Sequence, residues 1–118
     1  MRILNIDDST VNNMLMENLL STFGYETYSI LEGTDVLEKI EEYQPDLIIL
    51  DMMMPNRGGL DVLKEIRTQG IQTPVIVITA LRDETLKKRA VKMGVVDYQV
   101  KPVKMAALKT IIEHALQA

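Results

Sequence analysis

Three carboxylates, one hydroxyl group and one ammonium group each follow a short, largely apolar run of the chain. They belong to Asp7, Asp8, Asp51, Thr79 and Lys101. If these runs are parallel strands of one sheet, their carboxyl ends meet at the same edge, and the five side chains gather there. Three neighbouring carboxylates repel one another unless a cation lies among them. Since the group offers oxygen ligands without histidine or cysteine, the cation that it favours is Mg²⁺.

Phosphoryl transfer is the chemistry that this set of groups suits best. An aspartate can accept a phosphoryl group and become a covalent aspartyl phosphate. The ammonium group of Lys101, the hydroxyl group of Thr79 and a bound Mg²⁺ ion would together neutralise the phosphoryl oxygens during the transfer. These residues therefore predict a carboxylate that is phosphorylated with the help of a metal ion.

The elements that must position these groups alternate along the chain. Short runs rich in β-branched residues predict strands buried on both faces, and mixed runs predict strands at the sheet edges. The buried strands are predicted at 3–6, 47–50 and 75–78, and the edge strands at 25–30 and 95–100. Helical periodicity predicts helices at 10–23, 34–43, 58–69, 83–93 and 103–117. The alternation predicts an α/β fold, in which helices cover both faces of a five-stranded parallel sheet.

Composition narrows the class of protein further. The chain has 118 residues, of which 47% are apolar, so we expect a single domain over 1–118. The last predicted helix uses up the residues after Lys101, so we expect no effector domain. A net charge of −4 argues against binding to nucleic acid or to an anionic membrane. With no cysteine and one histidine, a disulfide framework and the usual zinc sites are excluded, and we expect a soluble, cytoplasmic domain.

The order of these motifs resembles the receiver domain of two-component response regulators. The resemblance extends over essentially the whole chain. It rests on Asp7-Asp8, on Asp51-Met52-Met53-Met54-Pro55 followed by Gly59-Leu60, on Thr79-Ala80, on Gly94 with Asp97-Tyr98, and on Lys101-Pro102. It implies a sheet with strand order 2-1-3-4-5 and a cis peptide bond between Lys101 and Pro102.

The resemblance also implies a role for each residue of the acidic group. Asp51 would accept the phosphoryl group from a phosphohistidine. Asp8, Asp51 and the backbone carbonyl of Met53 would bind Mg²⁺ directly, and Asp7 would act through a metal-bound water. Lys101 would pair with the phosphoryl group, or with the Asp51 carboxylate before phosphorylation.

A switch and a set of partners follow from the same resemblance. Thr79 would hydrogen-bond the phosphoryl group and move towards it, and Tyr98 would turn inward into the space that it leaves. A histidine kinase or a phosphotransfer protein would supply the phosphoryl group. The fourth helix, fifth strand and fifth helix would form the output face, to which a downstream protein or a second copy of the chain would bind. The domain would assist its own phosphorylation and dephosphorylation without being an enzyme.

The first predicted helix carries more apolar residues than one buried face needs. Its apolar positions spread over about 240° of the circumference. One group can face the sheet together, namely Met16, Leu19, Leu20 and Phe23. This places Val11, Met14 and Leu15 on a flank beside the predicted phosphorylation site. Because this helix docks the phosphohistidine donor in receivers, we predict that the flank contacts the donor.

Three residues depart from the pattern of the family. Met53 and Leu81 occupy the two positions that control access of water to the phosphate in receivers. Neither apolar side chain can orient an attacking water, which predicts slow loss of phosphate, although both could equally fill gaps at a loop surface. Asn5 is a polar residue within a predicted buried strand, and a hydrogen bond to a neighbouring helix or to water would account for it.

Several alternatives stay open at this point. A pseudo-receiver would use the domain only for protein interactions, although the acidic residues and Lys101 are all present. An aspartate-nucleophile phosphatase would need a carboxylate where this chain has Met53. A flavodoxin-like electron carrier would bind a phosphate in the loop that here begins with Asp7 and Asp8, whose negative charges would repel it. The basic residues of the fourth predicted helix either complement the helix dipole or form a docking patch. These are Lys87, Lys88, Arg89 and Lys92.

Overall fold

In the computed structural model, which describes residues 1–54 and 57–117, five strands alternate with five helices. The strands are β1 (Arg2–Ile6), β2 (Glu26–Ile30), β3 (Leu47–Leu50), β4 (Val75–Thr79) and β5 (Asp97–Val100). The helices are α1 (Thr10–Thr22), α2 (Val36–Tyr43), α3 (Gly59–Thr68), α4 (Glu84–Lys92) and α5 (Met105–Gln117). Every predicted element is confirmed to within two residues at either end. Pro55, which belongs to one of the predicted motifs, lies outside the described residues.

The five strands form one parallel sheet in the order β2-β1-β3-β4-β5. This confirms the predicted α/β fold and the strand order implied by the resemblance. The two strands of mixed composition, β2 and β5, lie at the edges as predicted. In the register between β1 and β3, Ile6 lies beside Leu50. The residues that follow these two strands are therefore level with each other at the carboxyl edge of the sheet.

Two apolar cores cover the two faces of the sheet. Because alternate residues of a strand point to opposite faces, Ile3 and Ile49 pack with α1 and α5, whereas Leu4 and Leu50 pack with α2, α3 and α4. Asn5 lies on the face covered by α1 and α5 and is 3% exposed. None of the described helices is long and apolar enough to cross a membrane.

The turns that follow β1 and β5 position Asp7, Asp8 and Lys101. Ser9 caps α1, since its Oγ accepts a hydrogen bond from the backbone N–H of Asn12 at 3.2 Å. This keeps the turn between β1 and α1 short. At the end of β5, the bond between Lys101 and Pro102 is cis, as the resemblance implies. The backbone N–H of Lys101 donates to the carbonyl of Thr79 at 2.8 Å, which ties this turn to the end of β4.

Candidate functional site: an acidic pocket at the carboxyl edge of the sheet

Three carboxylates meet where β1 and β3 end. Asp7 and Asp8 follow β1, and Asp51 follows β3. One oxygen from each carboxylate lies within 4.8 Å of those from the other two. Asp7 and Asp51 are each only 6% exposed, whereas Asp8 is exposed to solvent. The pocket therefore has two buried carboxylates at its base and one at its rim.

The two buried carboxylates are held in the same way. Oδ1 of Asp7 accepts the backbone N–H of Ser9 at 2.9 Å, and Oδ1 of Asp51 accepts the backbone N–H of Met53 at 3.0 Å. In both turns the donor lies two residues after the aspartate, a turn geometry that aspartate favours. The second oxygen of each carboxylate, Oδ2, accepts from Lys101. Both side chains are thus fixed before any ligand binds.

Lys101 bridges the two buried carboxylates. Its Nζ lies 3.0 Å from Oδ2 of Asp7 and 3.3 Å from Oδ2 of Asp51. Burial acts to lower the pKa of Lys101, but the hydrogen bond to Asp7 and the charges of Asp51 and Asp7 outweigh it and raise the pKa above its usual value. Lys101 therefore stays cationic at neutral pH and supplies a fixed positive charge beside Asp51.

The donor atoms of the pocket fit Mg²⁺. The cluster of Asp7, Asp8 and Asp51 offers carboxylate oxygens, which are hard ligands that suit this ion. The described residues of the cluster include no sulfur or imidazole ligand that would favour zinc. A bound Mg²⁺ would supply positive charge to the oxygens of a phosphoryl group. Metal binding by the Met53 carbonyl stays a prediction.

Thr79 and Tyr98 both contact Leu81 in the loop after β4. Oγ1 of Thr79, which is fully buried, accepts the backbone N–H of Leu81 at 3.2 Å. The hydroxyl group of Tyr98 donates to the carbonyl of the same residue at 3.0 Å. Burial raises the pKa of Tyr98, with further contributions from the charges of Asp83 and Asp51, so the phenol stays protonated and remains a donor. Tyr98 already faces inward in this structure, and its movement on phosphorylation stays a prediction.

The first turns of α1 expose apolar side chains beside the pocket. Val11, Met14 and Leu15 are all more than half exposed. Leu15 also lines a groove of about 160 Å³ between α1 and α5, and Asp7 and Lys101 are among the other residues that line it. The apolar flank predicted from the sequence thus continues into the edge of the acidic pocket.

The sequence does not single out Asn13, and it does not identify the residue to which Asn5 hydrogen-bonds. The Nδ2 group of Asn5 donates to Oδ1 of Asn13 at 2.6 Å, which is the bond to a neighbouring helix expected for Asn5. Nδ2 of Asn13 then donates to the backbone carbonyl of Asp7 at 2.9 Å. The available signal was the position of Asn13 seven residues before Leu20, which puts both on the same side of the helix.

The sheet and its acidic pocket define a doubly wound α/β protein in which strand-end carboxylates share a lysine. Within this class, the family model of the response regulator receiver domain matches residues 3–113. The chain therefore belongs to the response regulator receiver family of two-component signalling.

Relatives of known identity support this assignment. The chain is 39% identical over 103 residues to the regulator of RpoS from Escherichia coli K12, an alignment that covers 87% of this chain and 31% of that protein. It is 35% identical over 101 residues to the alkaline phosphatase synthesis transcriptional regulatory protein PhoP from Bacillus subtilis, covering 86% of this chain and 42% of that protein. The chain thus spans less than half the length of either relative.

Solved structures give the same fold. The signal receiver domain of a LuxO repressor protein from Vibrio parahaemolyticus is 33% identical, with a TM-score of 0.92 over 98% of this chain and 89% of that one. The BeF3-activated receiver domain of RstA from Klebsiella pneumoniae has a TM-score of 0.94 over all of both chains. At 24% identity, this second match supports the fold alone.

Proposed function

We propose that the chain is a phosphorylation switch that accepts a phosphoryl group on Asp51 in the presence of Mg²⁺. The donor is the phosphohistidine of a histidine kinase or of a phosphotransfer protein. The observation that carries this proposal is the position of Lys101 Nζ, 3.3 Å from Asp51 within a cluster of oxygen ligands. A carboxylate beside a fixed cation and a metal-binding cluster is suited to accept a phosphoryl group.

The chemistry of the transfer follows from this geometry. A carboxylate oxygen of Asp51 attacks the phosphorus atom, the bond between phosphorus and the histidine nitrogen breaks, and the released imidazole takes a proton from solvent. Lys101 moves its hydrogen bond from the carboxylate to a phosphoryl oxygen. The hydroxyl group of Thr79, at the end of the neighbouring strand, donates a hydrogen bond to another phosphoryl oxygen. Phosphorylation thereby changes the contacts of Thr79 and Leu81, which Tyr98 shares through its hydrogen bond.

Intact mass measurement tests the proposal. Incubation with a small-molecule phosphodonor and Mg²⁺ should add one phosphoryl group to the chain, and Asp51→Asn should add none. Removal of Mg²⁺ should also prevent the addition. A chain that gains no mass and releases no phosphate under any of these conditions would be a pseudo-receiver that acts only through protein contacts. Release of many phosphate ions per chain, through an aspartyl phosphate that does not accumulate, would favour an aspartate-nucleophile phosphatase instead.

Polar substitutions on the flank of α1 should slow transfer from the protein donor alone. Met14→Gln and Leu15→Gln together remove exposed apolar surface beside the pocket without touching the carboxylates. We expect about tenfold slower transfer from a purified phosphohistidine donor, because loss of a few contacts weakens docking by roughly 1–2 kcal/mol. Phosphorylation by a small molecule should proceed at the original rate. Equal transfer rates from the protein donor would contradict the proposed docking surface.

The phosphorylated form should lose its phosphate slowly. Met53 is half exposed near the site, and neither it nor Leu81 can hydrogen-bond an attacking water. Met53→Asn combined with Leu81→Glu adds two groups that can orient water, and we expect about tenfold faster loss of phosphate. The decay of the phosphorylated mass over time measures this rate, with Met53→Leu as the apolar control. An unchanged half-life in the double variant would mean that these side chains only fill space.

Output is proposed to occur through the face formed by α4, β5 and α5. A downstream protein or a second copy of the chain would bind there, with the basic second half of α4 as a docking patch, and nucleic acid would not bind directly. Residues 1–118 act as a single receiver domain. Since histidine kinases phosphorylate their regulators inside the cell, the domain works in the cytoplasm and away from the membrane.

A further inference from the structure

Two buried asparagines connect the centre of β1 to the acidic pocket. Asn5 donates to Asn13 at 2.6 Å, and Asn13 donates to the backbone carbonyl of Asp7 at 2.9 Å. The two asparagines are 3% and 4% exposed, respectively. We call this pair the asparagine relay. The relay links Asn5 in β1 to Asn13 in α1, and it links Asn13 to Asp7, the first residue of the carboxylate cluster.

The relay also attaches the first half of α1 to the sheet. The buried residues of this helix are Asn13 in its first half and Leu20 in its second half. Beneath it, Thr27 and Ser29 of β2 lie in register beside Ile3 and Asn5, on the same face of the sheet. Their hydroxyl groups are buried and find no hydrogen-bond partner among the described residues. The sheet beside Asn5 therefore carries polar side chains, and the hydrogen bonds of Asn13 help to fix this half of α1 together with the packing of Met16.

We propose that Asn13, oriented by Asn5, is a positioning residue for the carboxylate cluster. It holds the carbonyl of Asp7 and thereby sets the direction of the chain at Asp7 and Asp8. The inference rests on the proposed function, because Mg²⁺ binding by the cluster is part of that function. It adds that α1, which carries the proposed donor-docking flank, and the metal-binding residues are held as one unit.

The backbone of Asp7 shows why one hydrogen bond can matter here. Its N–H donates to the carbonyl of Ile30 at 3.1 Å, and its carbonyl is held by Asn13. Without Asn13, the peptide group between Asp7 and Asp8 loses the hydrogen bond that fixes its carbonyl, so the direction of the chain at Asp8 is set less firmly, while Ser9 and Lys101 still hold the Asp7 carboxylate. Residues that orient metal ligands from outside typically change metal affinity by roughly 10–100-fold when replaced. Because Asn13 acts through the main chain, we expect an effect of about tenfold.

Leucine substitutions separate positioning from folding. Asn13→Leu leaves the amide of Asn5 buried without a partner, so it should weaken both Mg²⁺ binding and stability. The double variant Asn5→Leu with Asn13→Leu removes both amides, so the Asn5 amide is no longer left unpaired and only the carbonyl of Asp7 lacks its donor. We expect the double variant to melt above Asn13→Leu but below the original chain, and still to bind Mg²⁺ about tenfold more weakly than the original chain.

Metal affinity is measured with Mn²⁺ by electron paramagnetic resonance and by displacement with Mg²⁺. The matched control is Ile112→Val, which trims a fully buried residue of α5 and lowers stability without touching the relay. Ile112→Val should melt earlier but keep the original affinity. If the affinity of the double variant recovers together with its stability, the relay is merely structural and the proposal is wrong.

Amide hydrogen exchange in metal-free protein gives a second readout that does not depend on Mg²⁺. The N–H of Ser9, which donates to Asp7, should exchange about tenfold faster in the double variant, whereas the N–H of Asp51, held by Ile6, should not change. Unchanged exchange at Ser9 would overturn the proposal. If the original chain binds neither metal ion, the proposed function fails, and exchange at Ser9 alone decides whether the relay positions the pocket.

Discussion

A Lys101→Met variant is expected to be phosphorylated on Asp51 much more slowly than the original chain. Its metal-free fold is also expected to be less stable. Methionine leaves the two buried carboxylates of Asp7 and Asp51 without the cation that they share. Because Lys101 is about a quarter exposed, solvent screens the pair, so we expect a loss of about 2 kcal/mol rather than the larger effect of a fully buried ion pair. The phosphoryl oxygens also lose a fixed cation, and phosphorylation should slow about 100-fold.

Urea unfolding and the rate of mass gain measure the two effects separately. Mg²⁺ should reduce the difference in stability between Lys101→Met and the original chain, since the ion supplies positive charge to the same carboxylates. It should not restore the rate of phosphorylation. Lys104→Met is the matched control, because Lys104 is exposed and lies three residues further along the chain. It should change stability by less than about 0.5 kcal/mol and leave phosphorylation unchanged. Equal rates of phosphorylation for Lys101→Met and Lys104→Met would show that Lys101 does not contribute to the transfer step.

The sheet could be predicted because its inner strands contain few polar positions. β3 is buried along its whole length, and continuous apolar runs of this kind are typical of parallel strands with helices on both faces. The sequence predicts that α2 starts at 34, but the helix begins at Val36, after Asp35, which has φ −112° and ψ 25°. Since Thr34 and Asp35 are both residue types that commonly precede a helix, the sequence alone does not choose between them.

The acidic pocket could be predicted as far as it depends on topology. The ends of parallel strands meet at one edge, so Asp7, Asp51 and Lys101 could be placed together before any distance was known. That Lys101 lies closer to Asp7 than to Asp51 depends on side-chain conformations, which the spacing of residues in the sequence does not reveal. Asn13 and Asn5 could have been suspected as a pair, because two polar residues on facing buried positions usually hydrogen-bond to each other. Their link to the Asp7 carbonyl needed the structure.

Gly59 belongs to one of the motifs in the sequence, but the sequence does not show why a glycine is needed there. It is buried at the start of α3, and its N–H donates to the carbonyl of Met52 at 3.1 Å. A Cβ atom at this position would overlap the carbonyl oxygen of Asp51 and lie 2.7 Å from Cα of Met52. Both are backbone atoms of the turn that follows β3, so neither can rotate away as a side-chain atom could. Gly59 therefore allows α3 to begin directly against Asp51, the proposed phosphoryl acceptor.

Gly59→Ala should destabilise the domain by about 3 kcal/mol, because overpacking against rigid backbone displaces the whole turn. Any folded protein should also be phosphorylated more slowly, since the displaced turn carries Asp51. Urea unfolding and the rate of mass gain are the measurements. Gly58→Ala is the matched control, because its Cβ would lie 3.9 Å from the nearest atom, the carbonyl oxygen of Met52. It should lose no more than about 1 kcal/mol, from weaker helix capping. Equal losses in the two variants would mean that helix capping, and not the contact with the Asp51 turn, is the reason for glycine at this position.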